Sequence, residues 1–175
     1  MNRTKRLRRS RARGAAAVEM AFVLPLLVLV VLGIVYFGWL FNNYVVMVQS
    51  AAAGAHTLAT ERGFSTPCSD AQTAIQQVGT QAATGTPLSG ALSGSVLCGK
   101  ASGLIAAIFT VGDTTCTSDS ACVTALGSST ATPAAGTMAT VTLTYTFGVP
   151  FTDTSYANSS FLARKLTVSM SELVQ

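Results

Sequence analysis

From Met20 to Phe41 the chain runs 22 residues without a single charged side chain. As a helix rising about 1.5 Å per residue, that run reaches roughly 33 Å, against a membrane hydrocarbon core of about 30 Å. The stretch therefore predicts one membrane-spanning helix. A cleavable secretory signal is the competing reading, with Ala51-Ala52-Ala53 as the small-residue cut site behind it. Its apolar core is usually about 7 to 15 residues, shorter than the run seen here.

Charge is both scarce and unevenly placed. Only 10% of residues are charged and 49% are hydrophobic, where soluble domains carry roughly 25% charged residues. That excludes an ordinary cytosolic globule and a disordered chain alike. Seven of the 11 basic residues, Arg3, Lys5, Arg6, Arg8, Arg9, Arg11 and Arg13, precede Gly14. From Ala15 onward four bases stand against seven acids, so the side chains there sum to −3. A formal net charge of +4 would suggest nucleic-acid binding if it were spread over a folded surface. Concentrated in a leader, it argues against nucleic acid and instead sets topology. The positive-inside rule places the arginine-rich end in the cytoplasm and the remainder outside a plasma (inner) membrane, as a single-pass protein. Tyr36, Trp39 and Tyr44 suit the aromatic belt at the outer interface.

Cysteine usage follows the same division. Cys68, Cys98, Cys116 and Cys122 all lie on the outer side, where an even number in an oxidising compartment predicts two disulfides. Of the three connectivities, Cys68–Cys98 with Cys116–Cys122 is preferred, because the second pair closes a short loop unaided. No C-x-x-C spacing and no neighbouring histidine favours a metal, so none is expected.

Helical character continues past the span. Val45, Val48, Ala52, Ala55 and Ala59 recur at steps of three and four, with Gly63 and Pro67 as a stop. A helix from about Ala15 to about Thr60 would be roughly 69 Å long, so its outer half must pack on something. Ser50 to Ala55 offers a small-residue surface for close approach. Pro25 interrupts the backbone ladder inside the span. Ala71, Ala74, Ile75, Val78 and Ala82 fit a short second helix, and Gly79 to Gly94 reads as loop. Leu104 to Val111 is a strand or a helical turn, which periodicity does not decide. In Thr140–Phe147 and Leu166–Ser171, apolar residues alternate with Thr and Ser, which predicts two antiparallel strands with their oily faces on the long helix. Gly127 to Gly136 reads as linker. The expected organisation is residues 1–14 as basic leader, 15–60 as long helix with the span at about 20–41, and 61–175 as an extracytoplasmic α+β domain.

The stretch Arg13-Gly14-Ala15-Ala16-Ala17-Val18-Glu19-Met20 sets a glycine five residues ahead of a lone carboxylate at the start of an apolar helix. It resembles the class III signal of type IV pilins and pseudopilins. With the continuation to Leu27, then Gly33, Tyr36, Phe37, Gly38 and the Ser50–Ala55 run, it looks like the TadE-like minor pilins of the Tad (Flp) pilus system. The resemblance covers about residues 10 to 60. It implies a pilin-like fold, cleavage between Gly14 and Ala15 by a membrane prepilin peptidase, and an assembly role for Glu19, which could pair with the amino terminus of an adjacent subunit. Met20 stands where that family commonly has Phe or Tyr. From position alone, Glu19 can equally be a carboxylate that snorkels to the interface near a helix N-terminus.

Nothing in the chain assembles a catalytic site. His56 is the only histidine and reads as a helix-surface residue. There is no Gly-x-Ser-x-Gly, phosphate loop or histidine pair. Asp113 and Asp119 flank Cys116 as solvated loop acids. The expected function is that of a minor pilin or pseudopilin, a structural or priming component without enzymatic activity or cofactor. Its partners would be the membrane, the peptidase, other pilins met through helix-mediated association, and the assembly machinery. The alternative is an anchored extracytoplasmic binding module that never enters a fibre.

Overall fold

A computed structural model describes residues 4–82, 88, 92, 98, 105–127, 136–147 and 164–175, with side chains from residue 17 onward apart from those of Phe147 and Arg164. The elements in chain order are α1 (Thr4–Thr60), α2 (Pro67–Ala82), β1 (Ile105–Val111), β2 (Thr114–Cys116), α3 (Asp119–Leu126), β3 (Met138–Phe147) and β4 (Arg164–Leu173). The chain divides into two units, Met1–Asn42 and Asn43–Gln175.

The first unit is helix throughout its described residues and continues through Pro25. The helix begins at Thr4, well ahead of the expected Ala15, because arginine, lysine and alanine are all strong helix formers. Most of its large apolar side chains are exposed. Phe22, Leu26, Leu29, Ile34 and Phe37 are all more than 60% exposed. Among the described residues one helix is long and apolar enough to cross a membrane, and none of its most apolar window is buried within the protein. Tyr36 and Phe37 meet edge to face, with ring centroids 5.8 Å apart.

The second unit is an α+β domain built on a four-stranded antiparallel sheet in the order β2-β1-β3-β4. Alternation decides the faces. Ala139, Val141, Leu143 and Tyr145 are buried, while Thr140, Thr142, Thr144 and Thr146 turn the other way. In register with them, Phe109 opposes Val141, Ala107 opposes Leu143 and Ile105 opposes Tyr145. Leu104–Val111, ambiguous by sequence, is therefore a strand over its described part. The inner face takes the Asn43–Thr60 portion of α1, whose Met47, Ala51, Leu58 and Ala59 are wholly buried. One link ties helix to sheet directly and a second joins the helix to the residues just after β4. His56 Nδ1 lies 2.9 Å from Glu172 Oε1, and the Gln175 N–H donates to the Ala59 carbonyl at 3.2 Å. His56 is thus the surface residue expected of it, 63% exposed and paired with an acid.

α1 stops where expected. The chain turns through Gly63 at φ +86°, a left-handed conformation open to glycine without steric cost. α2 then starts on Pro67, whose missing N–H costs nothing in a first helical turn. It extends through Gly79 to Ala82, the last residue of the expected helical spacing, which overturns the loop reading over its first four residues. Gly79 explains the difference. A Cβ there would run into the Leu92 side chain and lie 3.0 Å from Ser50 Oγ, so the glycine is a contact point between helices and not a chain breaker. Gly54 does the same on α1, where a Cβ would come within 2.6 Å of Ile75 Cγ1 on α2.

On the outer face the Thr and Ser side chains pair across the strands. Thr140 meets Ser171 at 2.7 Å, Thr142 meets Ser169 at 2.9 Å, and Thr144 meets Thr167 at 3.3 Å. Such cross-strand pairs each contribute roughly 0.2–1 kcal/mol. The expected linker, Gly127 to Gly136, lies outside the described residues except for its two end glycines.

Candidate functional site

Two groups of residues carry chemistry, one in each unit. In the first, Gly14, Ala15 and Glu19 all lie on α1. Ala15 and Glu19 are four residues apart, one helical turn, so they share a face. The Glu19 side chain is exposed. The Gly14–Ala15 peptide bond lies inside a helix here, so a peptidase would have to unwind this turn before cutting it. Glycine, with the poorest helix propensity after proline, makes that the easiest place to open. Beyond Glu19 no charged side chain appears until Glu61.

Residues 14–56 match the protein family described as TadE-like protein. The N-terminal segment is TadE-like. The match starts on the glycine of the Gly14–Ala15 pair and ends at His56, so it spans the carboxylate, the apolar run and the small-residue surface in one block. Residues 57–175 lie beyond the TadE-like segment. Comparison of the chain with curated proteins and with solved structures finds no match.

In the second unit the cysteines gather near one end of the sheet. Cys68, in the first turn of α2, is bonded to Cys98 across a separation of 30 residues, with Cα atoms 6.0 Å apart. This is the expected pair. The other expected bond, Cys116–Cys122, is not closed in the structure. Both residues are buried free thiols, held in hydrogen-bond contact with each other. That contact has opposite effects on the partners. Donation from Cys122 holds the Cys116 thiol below its ordinary range, while the same bond, burial and the charge of Asp119 push Cys122 far up.

Asp119 joins the two pairs. It stands in the first turn of α3, and its carboxylate accepts from the Cys68 N–H at 2.8 Å, the Ser69 N–H at 2.9 Å and the Ser69 hydroxyl at 2.6 Å. It thus caps α2 from a distant part of the chain, supplying acceptors to amides that a helix leaves unpaired at its start. Sequence reading took Asp119 for a solvated loop acid. Local spacing carries no sign of a cap whose donors lie 50 residues away. Sγ of Cys68, Sγ of Cys98 and a carboxylate oxygen of Asp119 lie within 4.8 Å of one another. Both sulfurs are spent on the disulfide, which leaves one carboxylate and no thiolate, a donor set that does not fit a metal.

Proposed function

We propose that the chain is a minor pilin or pseudopilin, a structural or priming component of a Tad pilus system, matured by cleavage between Gly14 and Ala15. The observation that carries this reading is a coincidence of positions. The TadE-like match begins at Gly14, where a basic leader gives way to an apolar helix that the protein itself leaves uncovered. Glu19 is the one charge in that helix after the leader. Cleavage would give Ala15 a free amine one turn from Glu19, and the carboxylate of one subunit could then neutralise the amine of the next in a medium where an unpaired charge is costly. The exposed apolar residues would be covered by lipid before assembly and by neighbouring helices afterwards, with the small residues allowing close approach. Seven basic residues ahead of the span favour a cytoplasmic leader and an outer domain. The reading requires no catalysis and no cofactor.

Mass measurement of the N-terminus of protein recovered from membranes tests the proposal. In cells that hold the peptidase, the chain is expected to begin at Ala15, and Gly14→Val is expected to leave the leader attached. An intact N-terminus in the unaltered protein, or a cut near Ala53, would overturn it.

A further inference from the structure

The thiol pair at Cys116 and Cys122 has a use that the pilin reading does not need. Cys116 ends β2, and Ser118 then caps α3, its hydroxyl accepting from the Ala121 N–H at 3.3 Å. The Cys122 N–H bonds the Ser118 carbonyl at 3.0 Å, which folds the chain back so that Cys122 meets Cys116 within a single turn of helix. α3 packs on both β2 and β1, and neither cysteine has any exposed surface. Between the two sits Asp119, whose three hydrogen bonds hold the start of α2 beside the Cys68–Cys98 bond.

We propose that Cys116 and Cys122 are the two halves of a second disulfide that fastens β2 to α3 and thereby holds Asp119 against the first turn of α2. The bond forms by exchange with a disulfide-bearing thiol oxidoreductase before α3 closes over β2. Cys116, as the thiolate, attacks one sulfur of the donor disulfide, and the other donor sulfur leaves as a thiolate. Cys122 then loses its proton to solvent and attacks Sγ of Cys116, which expels the second donor sulfur. The two cysteines give up two protons and two electrons, and the donor departs as two thiols. The inference rests on the outward placement of the domain, and Cys68–Cys98 serves as its internal control.

The test uses the full chain recovered from membranes under acid quench, then denatured, alkylated without reduction and mapped as peptides. The expected result is no label on Cys116 or Cys122 and one peptide pair joined through them, lighter than the dithiol by two hydrogens. Alkylation of Cys116 and Cys122 with Cys68–Cys98 intact would overturn the inference and leave the outward placement standing. Alkylation of all four would overturn both. A second measurement reads the link to α2. In Cys116→Ser/Cys122→Ser protein that keeps the Cys68–Cys98 bond, hydrogen exchange at the Cys68 and Ser69 amides is expected to be several-fold faster. Unchanged exchange would refute the coupling, and if that variant does not fold, the peptide map of the unaltered protein decides.

Discussion

Gly79 and Gly54 show how one hydrogen atom can set the distance between two helices. Alanine in place of glycine within a helix gains about 1 kcal/mol from propensity alone. At Gly79 that gain meets Leu92 on one side and Ser50 on the other, both fully buried, and overpacking of such a site costs about 1–3 kcal/mol. Gly79→Ala is therefore expected to lower stability by about 1 kcal/mol net, read as a reduced denaturation midpoint with unchanged denaturant slope. A gain in stability would show that Leu92 yields freely. Glu61 offers a test of opposite sign. Burial, and then the negative charge of Asp70, raise its carboxyl above the ordinary 4.5, and its Oε2 is buried without a hydrogen-bond partner. The folded state thus holds the proton more tightly than the unfolded chain, so stability falls as pH rises through 4.5 toward the folded value. Glu61→Gln is expected to melt higher than the parent at neutral pH, with the difference vanishing below about pH 4. A pH-independent difference would contradict the assignment.

Among the elements, the Asp119 cap and the Cys68–Cys98 bond act on the same turn of α2. Asp119→Ala leaves two amides and a hydroxyl short of their acceptor, a loss of about 1–3 kcal/mol. Asp119→Asn keeps an acceptor oxygen and is expected to lose about half as much, so the order of the two denaturation midpoints is the check. Replacing both Cys68 and Cys98 by alanine reopens a loop of 30 residues, at an expected cost of about 3–4 kcal/mol. What the sequence revealed about these elements tracks how far each depends on its own neighbours. β3 and β4 were legible because strict alternation of apolar residues with Thr and Ser is itself the two-faced sheet. Ile105–Val111 was ambiguous because Ile108, 47% exposed on the outer face, fills in the alternation. β2 has three residues and α3 eight, too short for either period to emerge. Gly79 read as loop because the helix–helix contact that needs it is tertiary. Gly14, Ala15 and Glu19 were legible as a register of residue types, whereas Asp119 became visible only once α3 was set beside α2.

At the level of the whole molecule, the two units present opposite surfaces. One leaves its large apolar side chains uncovered, and the other buries them under strands whose outer face is hydroxyl-rich. If Glu19 acts in assembly, its replacement should separate processing from incorporation. Glu19→Ala is expected to be cut normally between Gly14 and Ala15 yet to be depleted from sheared fibre material while accumulating in the membrane. Equal incorporation of parent and variant would assign Glu19 to the interface alone. If neither form reaches the fibre fraction, the chain belongs with the membrane-bound assembly apparatus or with anchored binding modules.

The pairing order of the sheet also bears on synthesis. β4 is made after every other described element, yet it supplies the partner for all ten residues of β3, and the residues just beyond it return to Thr137 and to Ala59. The Asn43–Thr60 portion of α1 meets α2 soon after it is made, but it waits for β4 until more than a hundred later residues have followed. A chain halted before Arg164 would carry β3 with an open edge, the kind of surface that recruits foreign strands. Quality control of a stalled chain would therefore have to act on the unfinished β3 edge.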